Sequence, residues 1–67
     1  MEGVNNSIAV FRAERQLSQQ ELADAIGVSR KTISTVETGR FTPSVVIALK
    51  MAQFFQVPVE QIFTLKT

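Results

Sequence analysis

The chain has 67 residues, 45% of them hydrophobic, and carries seven Lys/Arg against six Asp/Glu for a net charge of +1. This length holds one small domain and excludes two, and the apolar content excludes a disordered chain. With no Cys and no His, disulfides, thiolate metal sites, the commonest zinc ligand and the commonest general base are all excluded.

In chain order, Asn5, Asn6 and Ser7 offer N-cap oxygens ahead of "IAVFRAERQ". Ile8 and Phe11 sit three apart there and Arg12 and Arg15 face elsewhere, which predicts a first helix over about 7–15. "SQQE" at 18–21 has the spacing of a capping box, in which Ser18 and Glu21 satisfy each other's backbone N–H groups. It opens a second helix with Leu22, Ala23 and Ile26 on one face, closed by Gly27, where a left-handed C-terminal cap disfavours a Cβ. Val28 turns inward and Ser29 caps a third helix, about 30–37, with Ile33 and Val36 as its apolar stripe. "TGRFTP" (38–43) is a loop by composition. Ser44 caps a fourth helix that runs to Phe55. "VPVEQIF" (57–63) reads as a short fifth helix, with Pro58 where its missing N–H is harmless. The terminal "FTLKT" is open between a short strand and a frayed tail. Five short helices make an all-α domain spanning 1–67.

The second and third helices, joined by a short turn containing glycine, form a helix-turn-helix over about 18–38. Ala23 is small enough for the two helices to cross closely, and Val28, Ile33 and Val36 pin the third helix to the core. Its other side is left with Arg30, Lys31, Ser34 and Thr35, which share one helical face. Two cations in a first turn oppose the helix dipole, which an anionic partner explains better than an intrinsic preference. From 29 to 41 three cations stand against Glu37, a local +2 in a nearly neutral chain.

The string "LSQQELADAIGVSRKTISTVETGRFTPS" resembles the Cro/repressor (XRE-type) helix-turn-helix DNA-binding domains, and the likeness runs from about Asn5 to Phe63. Leu17-Ser18-Gln19, Leu22-Ala23, Gly27-Val28-Ser29, Thr32-Ile33-Ser34, Glu37 and Gly39 fall in the family's register. The resemblance implies a compact five-helix, lambda-repressor-like domain whose third helix enters the major groove of double-stranded DNA. Short strands at the two chain ends are an option in this family. On this resemblance Arg30, Lys31 and Thr35, with Ser34 beside them, are base readers, and Arg and Lys there favour guanine O6 and N7. Ser18 and Gln19 open the second helix, where free N–H groups and a side-chain amide can hold a phosphate. Thr38, Arg40 and the loop around Phe41 match positions that touch the DNA backbone. The resemblance also pairs Arg12 with Glu37, which would neutralise an acid at the end of the reading helix.

On the fourth helix the expected core stripe is 45, 48, 49 and 52, with Phe55 at its edge. Ile47, Met51 and Phe54 recur on a second apolar face, with Val46 nearby. Either the fifth helix and the chain ends cover this face, or it joins Val59, Phe63 and Leu65 in a two-fold contact between copies. A homodimer would carry two reading helices to successive major grooves roughly 34 Å apart on an inverted-repeat operator.

Other classes fare worse. No paired carboxylates, phosphate-cradling loop or ligand set marks an enzyme, a metal centre, an organic cofactor or a small-molecule site. The longest apolar run, "VVIAL" (45–49), is far too short to span a bilayer. No charged-then-apolar leader is visible, so the expected location is the cytoplasm, on nucleoid DNA. The function expected is a small DNA-binding transcriptional regulator, a repressor by preference. The alternative is a helix-turn-helix protein-interaction module, such as an antitoxin or a partner subunit, because fold alone does not fix function.

Overall fold

The computed structural model describes residues 3–66; Met1, Glu2 and Thr67, which belong to the end segments expected as strands, lie outside the described residues. Within them the order is β1 (Val4–Asn6), α1 (Ile8–Glu14), α2 (Gln19–Ile26), α3 (Arg30–Glu37), α4 (Val45–Phe55), a 3-10 turn (Val59–Gln61) and β2 (Phe63–Leu65). The described residues thus hold four α-helices and a short antiparallel ribbon, which corrects the expectation of five helices. At the predicted fifth helix Pro58 is extended, with φ −60° and ψ 146°, and only the three residues after it coil. Beyond them the backbone is committed to the ribbon, whose register sets Val4 opposite Leu65 and Asn6 opposite Phe63. Backbone bonds from Ser7 N to the Ile62 carbonyl (2.8 Å) and from Lys66 N to the Gly3 carbonyl (2.9 Å) extend the pairing at both ends. A helix over 57–63 and this ribbon would compete for the same backbone groups, and both cannot form.

Each of the last three helices starts on a serine that accepts a backbone N–H. Ser18 Oγ accepts from Glu21 N at 2.9 Å while Glu21 Oε1 accepts from Ser18 N at 2.9 Å, a reciprocal capping box. Ser29 Oγ accepts from Thr32 N and Ser44 Oγ from Ile47 N, both at 3.1 Å. α2 ends on Gly27 in the left-handed region (φ 76°, ψ 37°), and Val28 N closes the turn on the Ala23 carbonyl at 3.0 Å. α1 starts differently: Asn6 Oδ1, not Ser7, accepts from Ile8 N at 3.1 Å.

The core gathers Ile8, Leu22, Ala23, Ile26, Ile33, Val36, Met51, Ala52, Phe55 and Ile62. Ala23 is fully buried in the crossing of α2 and α3, where a larger side chain would push the two helices apart. α4 is turned from its expected setting. Met51, Ala52 and Phe55 face inward, whereas Val45 and Leu49 are 74% and 55% exposed. Nine of its eleven residues are Val, Ile, Ala, Leu, Met or Phe, so periodicity alone leaves its rotation undetermined. Burial of Phe55 against Phe11, with centroids 5.2 Å apart, helps fix the rotation.

Candidate nucleic-acid interface

α3 is amphipathic in a way that fixes its outer face. Ile33 and Val36 are buried, which turns Arg30 and Lys31 out; both are exposed and, among the described residues, neither side chain forms an ion pair or hydrogen bond. No acid stands in the first turn to offset them. Ser34 and Thr35 are half-buried beside them. The Thr35 hydroxyl donates to the Lys31 and Thr32 carbonyls at 3.0 and 3.1 Å. Its proton is thereby engaged, so toward a ligand Thr35 offers a methyl group and an oxygen lone pair. Thr38 is likewise turned back, donating to the Ser34 carbonyl at 2.9 Å. The Ser34 hydroxyl has no side-chain partner among the described residues and can donate or accept.

The predicted flanking residues fall into two groups. Ser18 and Gln19 open α2, but the Ser18 hydroxyl is already engaged by the Glu21 N–H. What α2 offers an anion is therefore its free first-turn N–H groups and the Gln19 amide. Thr38, Arg40 and Phe41 follow α3. Gly39 turns the chain at φ 81°, and the Arg40 and Phe41 amides return to the Thr35 carbonyl at 2.9 and 3.3 Å. That turn leaves Arg40 exposed and Phe41 65% exposed. A cleft of about 330 Å³ separates α3 from this loop, lined in part by Lys31, Thr35, Phe41 and Pro43.

Glu37, at the end of the same helix, is held by Arg12 through a two-pronged bond: Nε to Oε2 at 2.9 Å and Nη2 to Oε1 at 2.8 Å. The side chains are 19% and 12% exposed. The bond to Glu37 raises the Arg12 pKa above its ordinary value, against the lowering by burial. A third prong, Nη1 to the Leu17 carbonyl at 2.8 Å, ties the α1–α2 link to the pair. The acid at the end of the helix that carries the basic face is thereby neutralised.

Three supports escaped sequence reasoning. Asn6 Nδ2 donates to the Val36 and Glu37 carbonyls at 3.1 and 3.2 Å, tying β1 to the end of α3. Arg15 lies 4.9 Å over the Phe55 ring and donates to the Phe55 carbonyl at 3.0 Å. Lys50 Nζ donates to the Ile26 carbonyl at 3.3 Å. Arg15 and Lys50 each place a cation at a helix C-terminus, where the dipole favours it, but both partners are remote in sequence and no local pattern marks them.

Of the predicted contact candidates on the far side, Met51 has no exposed surface and is a core residue. Ile47, Val59 and Phe63 pack partly buried against the core, while Phe54 and Leu65 remain exposed. Among the described residues no cluster of His, Cys, Asp and Glu could hold a metal, and no helix is long and apolar enough to cross a membrane.

A helix-turn-helix family model matches residues 8–62. The chain belongs to the XRE-type helix-turn-helix family. It is 43% identical over 60 residues to an uncharacterized HTH-type transcriptional regulator of Methanocaldococcus jannaschii, covering 90% of this chain and 91% of that one. Over 63 residues it is 33% identical to the uncharacterized HTH-type transcriptional regulator YgzD of Bacillus subtilis, covering 94% and 96%. The transcriptional repressor RstR of the Vibrio cholerae cryptic phage CTXphi is 34% identical over 58 residues, which are 87% of this chain and 52% of the repressor. The crystal structure of a candidate DNA-binding protein from Bacteroides fragilis superposes with a TM-score of 0.79 at 31% identity, covering 91% and 98%. This helix-turn-helix chain is thus of a family of double-stranded DNA-binding transcriptional regulators, not of enzymes.

Proposed function

We propose that the chain is a sequence-specific regulator, acting as a repressor, that sets α3 in the major groove of an inverted-repeat operator as a homodimer in the cytoplasm. The observation that carries this reading is the exposed Arg30–Lys31 pair, without an ion-pair partner among the described residues, at the start of a helix whose other face is buried. Arg30 and Lys31 donate to guanine O6 and N7. Ser34 reads as donor or acceptor, and Thr35 presents its methyl group to thymine. Gln19 and the N–H groups beside Ser18 hold one phosphate. Thr38, Arg40 and Phe41 line the backbone on the other side.

The homodimer reading rests on the outward face of α4, where Val45, Val46 and Leu49 are all exposed, with Phe54 at the far end and Leu65 on β2. Apolar surface gathered on one helix face is suited to an isologous two-fold contact. Met51 takes no part in it, and Ile47, Val59 and Phe63 contribute only their exposed edges.

Binding of duplexes measured for Arg30→Ala tests the base-reading role. The variant should lose about 1–3 kcal/mol on the preferred site by ceasing to discriminate one base pair, and little on random sequence. Equal loss on both would make Arg30 a phosphate contact and overturn its role as a reader.

A further inference from the structure

The ribbon end beside the α3–α4 loop forms a second basic cleft. Its volume is about 290 Å³ and its lining includes Gly3, Arg40, Phe41, Thr42 and Lys66. Arg40 follows the reading helix directly through Gly39, whereas Lys66 comes from the opposite end of the chain. Three features bring them together. Lys66 N donates to the Gly3 carbonyl at 2.9 Å, continuing the β1–β2 register. Asn6 ties that ribbon to the last carbonyls of α3. The Lys66 stem runs along Gly3, where an added Cβ would meet Lys66 Cδ at 3.4 Å. Among the described residues no carboxylate lines the cleft. Glu37, the acid at the end of α3, is occupied on both oxygens by Arg12.

We infer that Lys66 is a further DNA-backbone contact, completing with Arg40 a two-cation phosphate site that the terminal ribbon carries to the rim of the reading face. The ligand chemistry is a phosphodiester anion of duplex DNA beside the bases met by α3, and the inference rests on the DNA-binding reading above. Asn6 makes the ribbon and the end of α3 one body, so Lys66 keeps its place relative to Arg40 without ordering a flexible tail on binding. A lysine at such a site adds affinity but no sequence information.

The test is the dependence of affinity on salt for the full chain and for Lys66→Gln, Lys66→Arg and Arg40→Gln, on a selected duplex and on random duplex. Lys66→Gln should lower the log–log slope by about 0.9, the value for one phosphate contact on B-DNA. Between 50 and 200 mM salt its affinity should then fall roughly threefold less steeply than the parent's, alike on both duplexes. Lys66→Arg should restore the slope, and thermal unfolding of Lys66→Gln should match the parent because the side chain is exposed. An unchanged slope for Lys66→Gln while Arg40→Gln lowers it would overturn the Lys66 contact and leave the DNA reading intact. A parent chain that binds neither duplex would overturn both. A loss confined to the selected duplex would make Lys66 a base reader and overturn the phosphate assignment.

Discussion

Gly27 and Gly39 hold φ angles of 76° and 81°, yet nothing approaches within 4 Å of the Cβ that either would carry. Their constraint is therefore conformational, not steric crowding. Gly27→Ala should lower the unfolding free energy by about 1–2 kcal/mol in a urea titration, from the cost of a Cβ in the left-handed region. Glu37 is constrained by charge. With its carboxylate gone, Arg12 is left half-buried beside the end of α3 with only the Leu17 carbonyl as partner, and Glu37→Ala should cost about 1.5–3 kcal/mol in the same titration. A negligible loss would mean that the pair contributes little at this depth. The sign of the pH effect follows from Arg12. Its folded pKa is raised, so the stabilisation is complete below the unfolded value and is lost only as pH climbs through the folded one. Arg12 therefore makes no contribution to pH dependence near neutrality.

At the scale of elements, capping was legible because it is written in adjacent residues. Ser18, Glu21, Gly27, Ser29 and Ser44 each have their partner within five positions, and the starts of α2, α3 and α4 and the end of α2 follow from them. The rotation of α4 was not legible, because apolar residues on nearly every side give it no polar face to turn outward. The contrast between two of its residues measures that rotation. Met51→Ala should cost about 2–5 kcal/mol by opening a core cavity, whereas Leu49→Ala in the monomer should change stability by about 0.5 kcal/mol or less. Equal costs would return α4 to the orientation that periodicity suggested. The predicted fifth helix failed for a different reason: its last residue, Phe63, pairs with Asn6 of β1, a partner that no local pattern reveals. α4 ends on Gln56, a non-glycine residue in the left-handed region at φ 59°. Gln56→Gly should therefore raise the thermal midpoint, relieving about 1 kcal/mol of backbone strain.

Across the whole molecule, a basic face is mounted on a small core, of a size that leaves a domain only marginally stable by hydrophobic burial. Long polar side chains supply the missing ties. Arg12 joins α1 to α3, Asn6 joins the ribbon to α3, Arg15 joins α1 to α4, and Lys50 joins α4 to α2. The exposed face of the site was legible in sequence because Ile33 and Val36 decide it by helical period. The state of its hydroxyls was not, since Thr35 and Thr38 turn back on their own helix. If copies meet through the outer face of α4, Leu49→Asp should remain folded yet sediment as a monomer, with weaker binding to a two-half-site duplex. Sequence-specific binding by a two-fold dimer is decided by selecting bound sites from random duplex DNA with the full chain. The expected result is an enriched inverted repeat, guanine at the positions facing Arg30 and Lys31, and half-site centres about one helical turn apart. Recovery of no sequence preference at low salt would contradict it.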